Sequence, residues 1–288
     1  MANTTKPTIG LIGASGLLGS AVLKALTTQQ AKRIVLHRPS SKLPALDAET
    51  QTRALDIGGS EAEVHKALEG IDVLINASSR TDPAVDAAFL SHLANLPKPL
   101  KAYIPSDFSL NFTPDETRDV AFIEGKETLI ARARELGIPT TTVHNGTFEP
   151  FVLTPFSGID IAAGTLTLYG DAENRALPIT SPAYLAAAVA EIAQLPTLES
   201  QYTVVEYTAT GREIAAALEA AGGKKVVIKT FTPEEAAAAK AAGGLDALSA
   251  AVRVKWGKGQ WPEPGAYTPA APKRDITKAV KDALGKSA

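Results

Sequence analysis

The chain has 288 residues, 45% of them hydrophobic, enough for a sizeable core organised as two domains or one large α/β unit. A net charge of −2 lacks the basic excess of a nucleic-acid-binding domain, and lysine and arginine do not cluster into a membrane-binding face. The absence of cysteine excludes disulfides, thiolate metal sites and cysteine nucleophiles and fits a reducing, cytoplasmic setting; no apolar run approaches the roughly 18 residues of a membrane span.

Met1 to Lys6 is short and polar, without the flanks of a signal peptide. Thr8 to Gly13 then reads as a strand running into Gly13-Ala14-Ser15-Gly16-Leu17-Leu18-Gly19, and a helix over 17–28 puts Leu18, Val22 and Leu26 on one face. A strand, a small-residue turn and a helix start form the opening of a dinucleotide-binding domain. The glycines let the backbone approach a pyrophosphate, and the free N–H groups of the helix start face its charge. The spacing is Gly13-x-x-Gly16-x-x-Gly19 rather than the tighter G-x-G-x-x-G, so the glycines alone also suit an ordinary β–α turn. Its place after an N-terminal apolar strand favours cofactor binding, with Gly13, Ser15, Gly16, Leu17, Leu18 and Gly19 as candidates.

Further strands are expected at 33–37, Gln51–Ile57, Ile71–Asn76, Leu100–Ile104 and Pro139–His144. Between them, Ser60 and Glu63 form a capping box for a helix to Leu68, Asp82-Pro83 opens a helix over 82–96, and a long helix over 115–136 stops at Gly137. This alternation specifies an α/β, Rossmann-type doubly wound parallel sheet over residues 1–146. From 147 to 288 the rhythm changes to a smaller α+β substrate-binding region, with strands at Thr165–Tyr169 and Tyr202–Thr208 and helices at 181–195, 211–221, 233–242 and 245–251. This region can also return a strand to the sheet. Trp256 to Pro262 reads as an aromatic, glycine-rich loop, either a substrate lid or an anchor for a homodimer contact.

An NAD-selecting carboxylate normally follows the second strand. Here the strand ends His37-Arg38-Pro39-Ser40-Ser41-Lys42, and no acid appears until Asp47. Arg38 and Lys42 supply positive charge where a 2′-phosphate would sit, which points to NADP(H); the alternative is a solvated loop arginine. Asp56 is placed to accept from the adenine amine, and Asn76, Ala77 and Ser78 to line the ribose and nicotinamide. Ser106, at a strand end, Lys126 and Asn145 complete the cofactor-side candidates, Ser106 also suiting a bond to a substrate oxygen or a turn or cap role. Phe108, Phe112 and Phe148 are candidates for the substrate wall, with a core role equally open. The four histidines, His37, His65, His92 and His144, lack ligand spacing, so no metal site is expected. His144, at a sheet C-terminal end, reads as a hydrogen-bonded structural histidine, the alternative being a residue that faces the pocket.

Lys126 follows Ile123 and precedes Ile130 and Ala133 at helical spacing, in an apolar stripe. Loss of hydration there favours the neutral amine useful in acid–base chemistry; a lysine snorkelling at the stripe's edge fits equally well. In ordinary short-chain dehydrogenases a tyrosine stands four residues before such a lysine, whereas this chain has Phe122, which carries no proton.

Four further segments join the glycine loop and Arg38 in a pattern. They are Tyr103-Ile104-Pro105-Ser106-Asp107-Phe108, Lys126 itself, Ile130 to Asn145, and Ser181-Pro182-Ala183-Tyr184-Leu185-Ala186. Together they resemble the NmrA-like and isoflavone reductase-like family of atypical short-chain dehydrogenases over most of residues 8–190. The resemblance implies an NADPH-dependent reductase of a small aromatic or conjugated carbonyl-type substrate, with Lys126 as catalytic base or proton relay. The family also contains non-catalytic NADP(H) sensors that bind a regulatory protein, the alternative reading. Asp107, Ser109 and Tyr184 stand where the family pattern has glutamate, glycine and aspartate.

Overall fold

In the first strand, β1 (Thr8–Ile12), every residue is buried, as expected of a central parallel strand covered on both faces. The computed structural model describes residues 6–79, 82–117, 120–261 and 264–285. Met1 to Thr5, residues 118–119 of the helix expected over 115–136, and Pro262 of the tryptophan-containing stretch lie outside the described residues.

The chain continues through α1 (Leu17–Thr28), β2 (Lys32–His37), β3 (Gln51–Ala54), α2 (Glu61–Leu68), β4 (Val73–Asn76), α3 (Pro83–Ala94) and β5 (Ala102–Ile104). The five strands are parallel in the order β3-β2-β1-β4-β5. In place of one helix over 115–136 there are two, α4 (Pro114–Thr117) and α5 (Ala121–Glu135). Gly137, at φ +74°, follows α5. β6 (Thr142–His144) joins the sheet through a parallel bridge between Tyr103 and Thr140, flanked by backbone bonds of Tyr103 to Pro139 and of Thr141 to Tyr103.

The second half contains β7 (Thr147–Phe148), α6 (Glu149–Val152), β8 (Ile159–Asp160), β9 (Thr165–Tyr169), β10 (Leu177–Thr180), α7 (Pro182–Ile192), β11 (Gln201–Thr203) and β12 (Tyr207–Ala209). It ends with α8 (Gly211–Gly222), β13 (Val227–Phe231), α9 (Pro233–Ala242), α10 (Gly244–Lys258) and α11 (Ile276–Gly285). β11 pairs in parallel with β6, and α7 packs on α1, so residues 182–203 return to the first unit. Two small sheets, β12-β10-β7 and β13-β9-β8, form the rest.

Side-chain alternation along the strands divides the core. Ile9 and Leu11 face α1 and α7 with Val22, Leu26, Leu185 and Val189. Ile12, Ile34, Leu36 and Leu74 face the other helices with Val64, Phe89, Leu93 and Ala133. A third core around Leu166, Ile179, Ile214, Trp256 and Val280 lies within the second half.

Three further expectations change. The run Tyr202–Thr208 is two strands in different sheets. Glu206, between them, is buried and accepts the backbone N–H groups of Ser181 and Arg274, at 2.9 and 3.0 Å, which turns the chain out of the first sheet. The helix expected at 245–251 runs to Lys258. Trp256 is therefore neither lid nor subunit anchor: it is 1% exposed, and its indole N–H donates to the Arg175 carbonyl at 2.8 Å. No helix of the described residues is long and apolar enough to cross a membrane.

Candidate functional site

The sheet reverses its direction of growth between β1 and β4, and the crevice beyond the C-terminal ends of these strands is where open α/β sheets bind ligands. The glycine loop shapes that crevice. Gly13 has φ +85°, and a Cβ there would come within 2.6 Å of the Ala77 backbone. A Cβ at Gly19 would lie 1.9 Å from the Gly13 carbonyl oxygen, so α1 reaches the loop only because residue 19 has no side chain. Gly16 differs: its nearest neighbour would be the Gly13 oxygen at 3.3 Å. As N-cap of α1 it leaves the helix start without a side-chain cap, and the first turn has no acid, so the positive helix end stays open to an anion.

A cavity of about 420 Å³ opens there, with Gly13, Ser15, Gly16, Arg38, Asp56 and Ser78 among its walls. Ala77 also lines it, whereas Lys42, Leu17, Leu18 and Gly19 stay outside the lining. Leu17 is 58% exposed, and Gly19 is spent on the packing of α1 against the loop. Asp56 accepts the Gly58 N–H at 3.0 Å. Asn76 accepts both the backbone N–H and the hydroxyl of Ser78, at 3.0 and 2.6 Å, and Ser106 donates to the Ser78 carbonyl at 2.8 Å. These bonds tie the end of β4 to the end of β5. Gly16→Val should therefore leave the fold intact and place an isopropyl group in the cavity, costing about 1–3 kcal/mol of dinucleotide affinity. Calorimetric titration of a variant folded by circular dichroism checks this. Gly13→Val would be a poor test, because it clashes with backbone.

Ser78 and Ser79 also border a second cavity, of about 60 Å³, walled by Asn76, Tyr103, Ser106, Asp107 and Lys126. Burial pushes the Tyr103 phenol up to about 12. Lys126 is 14% exposed; its Nζ lies 3.8 Å from Asp107 Oδ1 and 5.1 Å from the centre of the Phe122 ring. The stripe reading of α5 holds for Ile123, Ile130 and Ala133, all buried, but the ammonium meets a carboxylate as well as apolar groups. Asp107, itself 6% exposed, also accepts the Ser109 hydroxyl at 3.1 Å. Two of the departures from the family pattern are thus bonded to each other.

A third cavity, of about 250 Å³, lies beyond Asp107, with Ser109, Asn111, Phe112, Arg134 and His144 on its walls. Burial lowers the His144 imidazole below its ordinary value, against the pull of Asp107. A hydrogen bond to the Ser109 backbone opposes that shift, and the ring borders the cavity. Of the three candidate phenylalanines, Phe112 lines this cavity, whereas Phe108 and Phe148 pack partly against the core. Asn145 is wholly buried, lines none of the three cavities, and neither polar atom of its side chain has a partner. Its backbone N–H bonds the Ser109 carbonyl at 3.0 Å.

No family model matches the sequence, and no curated protein matches it. The fold has many solved relatives. The leucoanthocyanidin reductase–NADPH complex of Vitis vinifera aligns with TM-score 0.79 at 17% identity, over 96% of this chain and 99% of the other. An isoflavone reductase aligns with the same TM-score, identity and coverage. An NADPH-dependent quinone oxidoreductase from Escherichia coli aligns with TM-score 0.71 at 22% identity, again over 96% and 99%. Over nearly its whole length, then, the chain has the fold of these reductases, the one its sequence segments resemble.

Proposed function

We propose that this chain is an NADPH-dependent reductase of a small aromatic or conjugated carbonyl-type substrate. Residues 1–146 bind the cofactor and also carry Lys126, Asp107 and Phe112 on the substrate side, where the second half adds Gln201 to the wall of the third cavity. The observation that carries the reading is the pair of adjoining cavities. An uncapped helix start and Arg38 stand on one side, and Lys126 stands on the other, across the shared rim of Ser78 and Ser79. Bound NADPH would supply the hydride, from nicotinamide C4. The helix start and the Gly16 backbone hold the pyrophosphate, and the Arg38 guanidinium pairs with the 2′-phosphate. Lys126 delivers or accepts the substrate proton at Nζ, held at the cavity wall by Asp107. Phe112 supplies an aromatic wall. The solved reductases that share the fold include NADPH complexes, which supports the choice of cofactor.

Arg38→Ala should weaken NADPH binding by about 1.5–3 kcal/mol, the scale of one charge-assisted contact, and leave NADH nearly unaffected. Isothermal titration with both cofactors measures this. Equal losses for the two would remove Arg38 from the 2′-phosphate site.

A further inference from the structure

The segment from 38 to 50 forms no helix or strand, yet it carries Arg38, Ser41 and Leu43 to the wall of the large cavity. A guanidinium on a wandering loop would spend much of its binding energy on being ordered. This loop is fastened from beneath. Arg33, on β2, is 5% exposed, and each arm of its guanidinium is used: Nε donates to Thr50 Oγ1 at 2.8 Å, Nη1 to the Ala31 carbonyl at 2.9 Å, and Nη2 to Asp47 Oδ2. Asp47 in turn accepts the Thr50 hydroxyl at 2.8 Å and the Glu49 N–H at 3.1 Å. The Thr50 bond leads in holding its carboxyl below the usual range, with Arg33 and Thr27 adding to it against burial. Leu43 and Leu46 pack down on the core.

This arrangement answers the question of selectivity left by the first acid after β2. Asp47 does not line the cavity; it is turned to Arg33, and its charge is matched there. We infer that the Arg33–Asp47 pair is a positioning device for cofactor selectivity, fixing the 38–50 segment so that Arg38 meets a 2′-phosphate and turning the Asp47 carboxylate away from it. The inference rests on the NADPH reading above and assigns that preference to two residues outside the contact surface.

The test is calorimetric titration of wild type, Asp47→Ala and Arg33→Met with NADPH and with NADH. Asp47 is surface-accessible, so its variant keeps the assay informative if loss of the buried Arg33 impairs folding. For Asp47→Ala the expected result is a rise of about tenfold in the NADPH dissociation constant, with NADH within about twofold, because a lost charge-assisted contact acts on the 2′-phosphate alone. A merely structural role would lower both affinities together, and that result, or no change in either, overturns the inference while the NADPH reading stands. Wild type binding both cofactors equally overturns the reading and the inference with it.

Discussion

Lys126→Met should lower kcat by about 10²–10⁴, the contribution of one positioned proton-transfer group. Methionine keeps most of the lysine stem's packing along α5 and beside the Phe122 ring while removing the ammonium. Asp107 loses a partner at 3.8 Å but retains the Ser109 hydroxyl at 3.1 Å; because its carboxylate is buried, a stability loss of up to about 3 kcal/mol accompanies the change and is read separately from kcat. Phe122→Tyr should barely change turnover, because a proton route built on Lys126 gains little from a new phenol. Phe122 is 40% exposed and accommodates the change without repacking the core. Steady-state rates and thermal melts of both variants measure these effects. Undiminished kcat in Lys126→Met would return the residue to a structural or ribose-binding role.

The largest effect on stability is expected away from that lysine. Lys255, on α10, is 1% exposed, and its Nζ lies 2.6 Å from Glu116 Oε2 on α4. Glu116 also accepts the Thr113 N–H at 2.8 Å, and the Lys255 ammonium sits 5.5 Å from the centres of the Phe112 and Trp261 rings. The pair pins the segment bearing Phe112 to the second half of the chain. Glu116→Ala strands a buried ammonium, and about 3–5 kcal/mol should be lost in denaturant unfolding. Glu116→Ala with Lys255→Met should recover much of it, since the stranded charge is then gone. The pH dependence has a definite sign. Burial opposes ionisation of Glu116, but Lys255 and Thr113 outweigh it and hold the carboxyl below its ordinary value. Its contribution is therefore complete above the ordinary carboxylate range and is lost as pH falls through the lowered folded-state value. A Glu116→Ala protein as stable as wild type at neutral pH would contradict this account.

What was legible in the chain follows from range. Parallel strands buried on both faces are written as unbroken apolar runs, so the first sheet could be read with errors of a few residues. The glycine loop, the basic residue after β2 and the lysine on α5 are likewise local patterns. The tyrosine-rich run at 202–208 looked continuous because a strand pattern does not say which sheet receives it; the break is made by Glu206 capping Ser181 and Arg274. Gly257 suggested a loop, yet it lies inside α10, where a Cβ would come within 2.2 Å of the Tyr169 carbonyl oxygen. The glycine permits close packing there rather than ending the helix. The ion pairs at the site were hidden for the same reason. Nothing near Lys126 announces Asp107, nothing near Asp47 announces a buried Arg33, and Glu116 and Lys255 are 139 residues apart.

The central claim is that this site transfers hydride rather than only binding the cofactor. The most direct measurement is loss of NADPH absorbance when the wild-type protein meets a panel of quinones, enals and phenolic ketones. The account predicts turnover of at least one conjugated carbonyl compound, dependent on Lys126 and faster with NADPH than with NADH. Equal affinity for NADP⁺ and NADPH with no oxidation across the panel would contradict it and identify a dinucleotide sensor.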